Sequence, residues 1–267
     1  MQDRIGFIGV GTMGGALLKG LLDGGVEAER VVASDYAQDK LRESAEKYGF
    51  TAMPDALSVA ESARIIFLAV KPQDMKVMLQ GIAPAMRDGQ LIVSVAAGFK
   101  TVDIEKRFDK EIGVIRVMPN TPCLVREGAM CMSAGKAVMD EDFQLVASWL
   151  EMLGMVRTVP EYLMDAVTGL SGSGPAFVYM MIEALADGGV LTGMTRSMAL
   201  ELAAQTVLGA AKMVMETGEH PAILREMVTS PGGTSAAGLY VMEKEGFKAA
   251  VQGAVKAAAE RSKELGK

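Results

Sequence analysis

The stretch that decides the fold is Arg4-Ile5-Gly6-Phe7-Ile8-Gly9-Val10-Gly11-Thr12-Met13-Gly14. An apolar strand runs into Gly-x-Gly-x-x-Gly, and the helical pattern Ala16–Leu22 follows directly. Gly9 permits a tight turn, Gly11 lets a pyrophosphate approach the backbone, and Gly14 lets the helix pack on the strand. Such a motif alone also occurs in plain turns. Here a second strand ends in Ser34 and Asp35, where the adenine ribose is usually bound, so we predict a dinucleotide-binding Rossmann unit.

Composition narrows the class of protein. Half of the 267 residues are apolar and the formal charge is −6, without a basic block, which argues against nucleic acid as a partner. The chain has two cysteines and one histidine, so we expect neither a zinc cluster nor a disulfide framework. We expect no signal peptide and no apolar run of membrane-spanning length. These features predict a soluble, cytoplasmic protein without a bound metal.

The first part of the chain alternates strands with helices. We predict an α/β Rossmann domain over residues 1–160, with a doubly wound, mostly parallel sheet. From residue 161 to 267 only helical patterns appear, which predicts an all-α domain. Its long helices carry more apolar surface than about a hundred residues can bury, so we expect a homodimer at least. The predicted strands are Ile5–Ile8, Val31–Ala33, Ile65–Ala69, Leu91–Ser94, Gly113–Met118, Gly128–Met132 and Val156–Val159.

Several short motifs follow the predicted strands, where ligands bind in doubly wound sheets. They are Val70-Lys71-Pro72, Ala97-Gly98, and Asn120 between two prolines. Each has a structural alternative: Lys71 as a solvated lysine in a turn, and the proline-flanked segment as a rigid turn. Their convergence on one edge favours a ligand role, with the Asn120 amide facing the cleft.

The run Ser230-Pro231-Gly232-Gly233-Thr234-Ser235 lies between two helical patterns. The proline favours a turn, the glycines permit close backbone approach, and Thr234 or Ser235 would open the next helix. The free amide N–H groups of a helix start attract small carboxylates. The alternative is an ordinary turn with a Ser/Thr cap. Glu161, at the domain junction, either reaches the cleft or is solvated, and His220 before Pro221 is expected to cap a helix.

With these residues in place, the chain resembles the pyrroline-5-carboxylate reductases, which catalyse the last step of proline synthesis. The resemblance runs from end to end. Its most specific blocks are Met118–Pro122, Ala166–Ala176 and Val228–Thr234. It implies NAD(P)H-dependent reduction of a cyclic imine to L-proline by a Rossmann domain and a helical domain that interlocks with a second copy. Many members of the family assemble further, into rings of dimers.

The resemblance also implies roles for individual residues. The cofactor residues would be Gly9, Gly11, Thr12, Met13, Gly14, Ser34 and Asp35, with Val70, Lys71, Pro72, Ala97 and Asn120 on the nicotinamide side. The substrate residues would be Ser230, Gly232, Gly233, Thr234, Ser235 and Glu161, with the Thr234 and Ser235 hydroxyls catalytic. The family commonly has threonine at the place of Ser235, and a number of relatives have asparagine at that of Ala56, near the adenosine.

The residues at and after the end of the second strand give conflicting indications of whether the cofactor is NAD(H) or NADP(H). Asp35 favours NAD(H), because a carboxylate repels a 2′-phosphate, whereas Ser34, Lys40 and Arg42 favour NADP(H). The resemblance decides for NADP(H), with NAD(H) possible.

Two rival functions remain. A β-hydroxyacid dehydrogenase would need a lysine and an asparagine at the positions of Val178 and Ile182, which are apolar. A non-catalytic nucleotide-sensing module would leave the Ser230–Ser235 run unexplained.

Overall fold

The computed structural model describes residues 3–266, which form two compact units. The first contains the chain up to Ser173 and from Lys256 onward, and it is built on an eight-stranded sheet of order β3-β2-β1-β4-β5-β6-β7-β8. All neighbouring strands are parallel except β6 and β7. The strands are β1 Ile5–Ile8, β2 Val31–Ser34, β3 Thr51–Ala52, β4 Ile65–Leu68, β5 Leu91–Ser94, β6 Gly113–Met118, β7 Gly128–Ala134 and β8 Gly154–Thr158.

Helices cover both faces of this sheet, and its central strands are therefore buried on both sides. In β4, Phe67 packs in one core with Phe7, at a ring-centroid distance of 4.7 Å, and with Trp149. Its neighbours Ile66 and Leu68 belong to the core on the opposite face. The helices of this unit are α1 Thr12–Asp23, α2 Gln38–Tyr48, α3 Ala56–Ser62, α4 Met75–Ile82, α5 Thr101–Glu105, α6 Asp140–Glu151 and α7 Met164–Val167. The predicted doubly wound α/β fold is confirmed.

The second unit, Gly174–Val255, is entirely helical in agreement with the prediction. Small residues let α8 and α9 pack closely: Ala186, Ala199 and Ala203 are buried between them. Most other apolar side chains of the unit are exposed, including Met180 at 74% and Leu191 at 87%. The helices are α8 Gly174–Leu191, α9 Arg196–Thr217, α10 Pro221–Met227, α11 Thr234–Lys244 and α12 Phe247–Leu265, whose last turns belong to the first unit.

The two units divide at Ser173–Gly174, later than the predicted division after residue 160, and the end of α12 returns to the sheet. A network of polar side chains, which the sequence pattern does not reveal, holds residues 161–173 and the end of α12 in the first unit. Arg116 of β6 pairs with Asp165 of α7, and Asp165 also accepts a hydrogen bond from the Ser262 hydroxyl of α12. These contacts attach both connecting segments to the sheet.

Strand β3 was not predicted, because two residues are too short to show an alternating pattern. By length and composition alone, α9 is long and apolar enough to cross a membrane. That criterion is weak evidence for a membrane span, and α9 carries four charged residues: Arg196, Glu201, Lys212 and Glu216.

Candidate active site

The carboxyl ends of β2, β1, β4, β5 and β6 lie side by side, because these five strands are adjacent and parallel. The segments after them carry the predicted cofactor residues, so the structure brings those segments to one edge. Two backbone hydrogen bonds link the segments after β1, β2 and β4: Gly9 N–H donates to the Ser34 carbonyl at 2.9 Å, and Ala69 N–H donates to the Ile8 carbonyl at 2.9 Å.

The glycine loop between β1 and α1 has the geometry that a dinucleotide needs. Gly9 has φ +93°, and a Cβ there would lie 2.7 Å from the Ala69 carbonyl oxygen. A Cβ on Gly14 would lie 2.0 Å from the Gly9 oxygen, so only glycine allows α1 to pack this closely. At Gly11, by contrast, a Cβ would meet nothing within 4 Å. This open space beside the start of α1, at Thr12 and Met13, fits a pyrophosphate on the first amide N–H groups of the helix.

Asp35 is held by the backbone around it. Its Oδ2 accepts from Val10 N–H at 2.7 Å, and its Oδ1 accepts from Ala37 N–H at 2.9 Å. Each carboxylate oxygen therefore already has a donor, and Asp35 fixes the glycine loop against the end of β2. Of the two cations predicted to favour NADP(H), Arg42 pairs with Asp39 on the surface of α2.

A cavity of about 580 Å³ lies beside Asp35 at the same edge of the sheet. Ala56, which the resemblance places near the adenosine, lines this cavity. Val70, expected on the nicotinamide side, also lines this cavity. Lys71 is exposed and Pro72 begins a short 3-10 turn. The lining residues are Ile8, Gly9, Ser34, Asp35, Tyr36, Gln38, Pro54, Asp55, Ala56, Val70, Asp74 and Met78.

Asn120 lies at the predicted edge, but its amide does not face an open cleft. The side chain is 6% exposed. Its Nδ2 donates to the Ser171 carbonyl at 3.1 Å, and its Oδ1 accepts from Ala129 N–H at 3.0 Å. Asn120 therefore fastens the π-helical turn Thr168–Gly172 to the end of β6. The half-buried Ala97 lies in the turn after β5, where Gly98 has φ +82°.

Glu161 lines a cavity of about 520 Å³, but its carboxylate is hydrogen-bonded within the protein rather than freely solvated. Its carboxylate accepts from the Thr101 N–H at 2.6 Å and from the Thr101 hydroxyl at 3.0 Å. Arg116 lies 3.9 Å away on the other side. Glu161 thus holds the start of α5 and pairs with the buried Arg116, while its contact with substrate stays a prediction.

In the helical unit, Ser230–Ser235 forms the tight turn that the sequence predicts. Gly232 has φ +67°, and Gly233 N–H donates to the Ser230 carbonyl at 3.0 Å. Helix α11 begins at Thr234 without a side-chain cap. Its first turn therefore presents amide N–H groups beside the exposed Thr234 hydroxyl and the half-buried Ser235 hydroxyl. This arrangement can bind a small carboxylate and offer a hydroxyl acceptor beside it.

Other reactive groups are few. Within residues 3–266, no three side chains of His, Cys, Asp or Glu converge as a metal site would require. His220 caps α10, as predicted, by accepting from Ala222 N–H through Nδ1. Burial raises the pKa of the Cys123 thiol, and burial likewise raises that of Cys131, so neither is an activated thiolate. The chemistry open to these residues is binding, orientation and hydrogen bonding.

Sequence reasoning missed Tyr36, Asp55, Asp74 and Met78 in the cavity lining. Tyr36 lies two residues after the end of β2, and this place could have indicated it, because ligands bind at the carboxyl ends of the strands in such a sheet. Asp74 and Met78 lie on the segment after β4, at a distance along the chain that no motif marks.

Known proteins match the chain along its whole length. A family model described as pyrroline-5-carboxylate reductase dimerisation matches residues 161–265, and one described as NADP oxidoreductase coenzyme F420-dependent matches residues 4–98. The pyrroline-5-carboxylate reductase of Methanosarcina acetivorans is 46% identical, with 100% of this chain and 99% of the relative covered. The enzyme of that name from Escherichia coli is 41% identical, with both chains covered to 100%.

A solved structure gives the same result. The pyrroline carboxylate reductase of Plasmodium falciparum, crystallised with NADP bound, matches with a TM-score of 0.91 and 33% identity, covering 100% of this chain and 99% of that one. Sequence identity above 40% over complete chains, together with a shared fold in both units, leaves one assignment. The chain belongs to the pyrroline-5-carboxylate reductase family.

Proposed function

We propose that this chain reduces 1-pyrroline-5-carboxylate to L-proline with a hydride from NADPH, NADH being a possible second donor. The observation that carries the proposal is the full-length identity of 46% and 41% to two pyrroline-5-carboxylate reductases. The glycine loop at the sheet edge supports a dinucleotide, and the bound NADP of the Plasmodium relative supports NADPH. The uncapped start of α11 supports a substrate that carries a carboxylate.

The proposed mechanism relies on positioning. The nicotinamide cofactor supplies the hydride when it is bound. The free amide N–H groups of Thr234 and Ser235 would hold the substrate carboxylate, and the Ser235 or Thr234 hydroxyl would accept a hydrogen bond from the protonated ring nitrogen. A substrate that binds as the iminium needs no strong general acid from the protein, which agrees with a single histidine that caps a helix.

A steady-state assay tests this function. We expect oxidation of NADPH on addition of pyrroline-5-carboxylate, with kcat/KM higher for NADPH than for NADH. We expect little reduction of NADP⁺ or NAD⁺ with 3-hydroxy acids, because Val178 and Ile182 cannot do the acid–base work of a hydroxyacid dehydrogenase. Activity with hydroxy acids alone would contradict the proposal, and nucleotide binding without turnover of either substrate would favour a sensing module.

We further infer that the functional species is a homodimer formed through the helical unit. The dimerisation model matches residues 161–265, and a single copy leaves α8 and α9 with exposed apolar side chains. Pairing would bury them. Assembly into rings of dimers is the next step that the resemblance implies. A dimeric reductase of this kind has no need of nucleic acid or membrane and would be soluble in the cytoplasm.

The substitution Met180→Glu tests the dimer. We expect it to raise the dimer dissociation constant at least tenfold and to lower activity in proportion, because the dimer would bury an unpaired carboxylate. Sedimentation and turnover are measured at the same protein concentrations. Val77→Glu is the matched control: Val77 of α4 is 73% exposed, as Met180 is 74% exposed in a single copy, yet it lies in the sheet unit. A fully active monomer would refute the inference.

A further inference from the structure

One side chain at the sheet edge has no role in the function described so far. Tyr36 lies two residues after the end of β2, lines the cavity beside Asp35, and is 97% exposed. Aromatic side chains are mostly buried in folded proteins, because each covers a large apolar area. An almost fully exposed ring at the rim of a cavity therefore offers a flat surface that a ligand can cover.

The other residues that line the cavity indicate which kind of ligand could bind against the Tyr36 ring. Five apolar residues form part of the wall: Ile8, Pro54, Ala56, Val70 and Met78. None of the described lining residues is a lysine or an arginine, whereas three are aspartates: Asp35, Asp55 and Asp74. A hydrogen bond from the backbone N–H of Ser58 lowers the pKa of Asp55 below its usual value, so this carboxylate is ionised at neutral pH. An anionic group would gain no cationic partner from this lining.

A flat, uncharged ring with hydrogen-bond donors fits such a cavity. Adenine is one: its faces stack on aromatic and apolar groups, and its exocyclic amino group donates to acceptors such as carboxylates. The position agrees, since the cavity shares Gly9 with the glycine loop and Ser34 and Asp35 with the end of β2, where the adenosine half of a dinucleotide lies.

We propose that Tyr36 is the adenine-stacking residue of this enzyme and forms the outer wall of the adenine subsite. The inference rests on the proposed function only in taking a nicotinamide dinucleotide as the ligand. Because NADPH and NADH carry the same adenine ring, stacking on Tyr36 contributes affinity equally for both.

Calorimetric titration of Tyr36→Ala tests the proposal. We expect Kd to rise roughly 5- to 30-fold for NADPH and for NADH alike, the usual effect of removing an aromatic partner from a base. Binding of 5′-AMP should weaken by the same factor. Tyr36→Phe should bind all three within about twofold of the parent chain, because the ring and not the hydroxyl makes the contact. Tyr162→Ala is the matched control, since Tyr162 is 79% exposed in the same unit but does not line this cavity.

A truncated cofactor isolates the adenine contribution. Reduced nicotinamide mononucleotide lacks the adenosine half, so its KM as hydride donor should be the same for Tyr36→Ala and the parent chain. Dinucleotide and AMP affinities unchanged by Tyr36→Ala would overturn the proposal. An equal loss with the mononucleotide would also overturn it, by showing that Tyr36 supports the fold of the site. A protein that fails to reduce pyrroline-5-carboxylate but shows Tyr36-dependent AMP binding would refute the proposed reaction and sustain the adenine subsite.

Discussion

Replacement of Arg116 by methionine is expected to lower the free energy of unfolding by about 3–5 kcal/mol, the usual cost of removing one partner from a buried ion pair. Arg116 is 1% exposed in the middle of β6. Its guanidinium lies 3.0 Å from an Asp165 oxygen and 3.9 Å from a Glu161 oxygen. Without the guanidinium, the largely buried carboxylates of Asp165 and Glu161 would have no cationic partner from β6.

The loss should be measured as the midpoint of urea unfolding at a fixed protein concentration, because association also contributes to stability. Arg42→Met is the matched control. It breaks the Arg42–Asp39 pair, whose side chains are 61% and 98% exposed, and such pairs contribute about 0–1 kcal/mol. Equal losses in the two variants would contradict the assignment of Arg116 as a buried anchor.

A triple variant separates charge from packing. Adding Asp165→Asn and Glu161→Gln to Arg116→Met removes the unpaired charges and keeps oxygens that can accept from Ser262 and Thr101. We expect much of the lost stability to return, because a buried charge without a partner costs more than a hydrogen-bonded amide. The Nε of Arg116 has no hydrogen-bond partner in the structure, so the parent network is itself not fully satisfied.

Sequence reasoning succeeded where a local pattern has a local cause. Gly9 and Gly14 were predicted because the strand–glycine–helix order requires a left-handed turn and a close approach, and the structure shows both at these residues. The turn at Ser230–Ser235 was predicted from the Ser230-Pro231 step, and the structure shows it with Gly232 at φ +67°. Because the carboxyl ends of parallel strands share one edge, the strand pattern alone also placed the segments after β4, β5 and β6.

Sequence reasoning failed where the hydrogen-bond partners of a side chain are distant in the sequence. Asn120 was expected to face the cleft, but its two hydrogen bonds go to Ser171 and Ala129, residues that only the folded chain brings within reach. Glu161 likewise binds Thr101, sixty positions away. Residue type and spacing predict which element carries a polar group, whereas the packing of other elements decides where that group points.

A substitution in the glycine loop is the second one for which we expect a large effect. Gly11→Val is expected to weaken NADPH binding at least about 100-fold while changing the free energy of unfolding by no more than about 1 kcal/mol. The backbone of Gly11 has φ −68° and ψ −160°, at the edge of the extended region and outside the left-handed region that favours glycine, and a Cβ there meets nothing within 4 Å. The branched side chain would instead occupy the space proposed for the pyrophosphate.

Two companion variants make the result specific to that space. Gly81→Val places the same side chain on α4, where a Cβ also meets nothing within 4 Å, and it should leave NADPH binding unchanged. Gly14→Val should reduce stability and binding together, because its Cβ would lie 2.0 Å from the Gly9 oxygen and force α1 away from the sheet. Calorimetric titration gives the affinities and urea unfolding gives the stabilities. If Gly11→Val binds NADPH within threefold of the parent chain, the pyrophosphate does not lie against Gly11, and the loop must be assigned to packing alone.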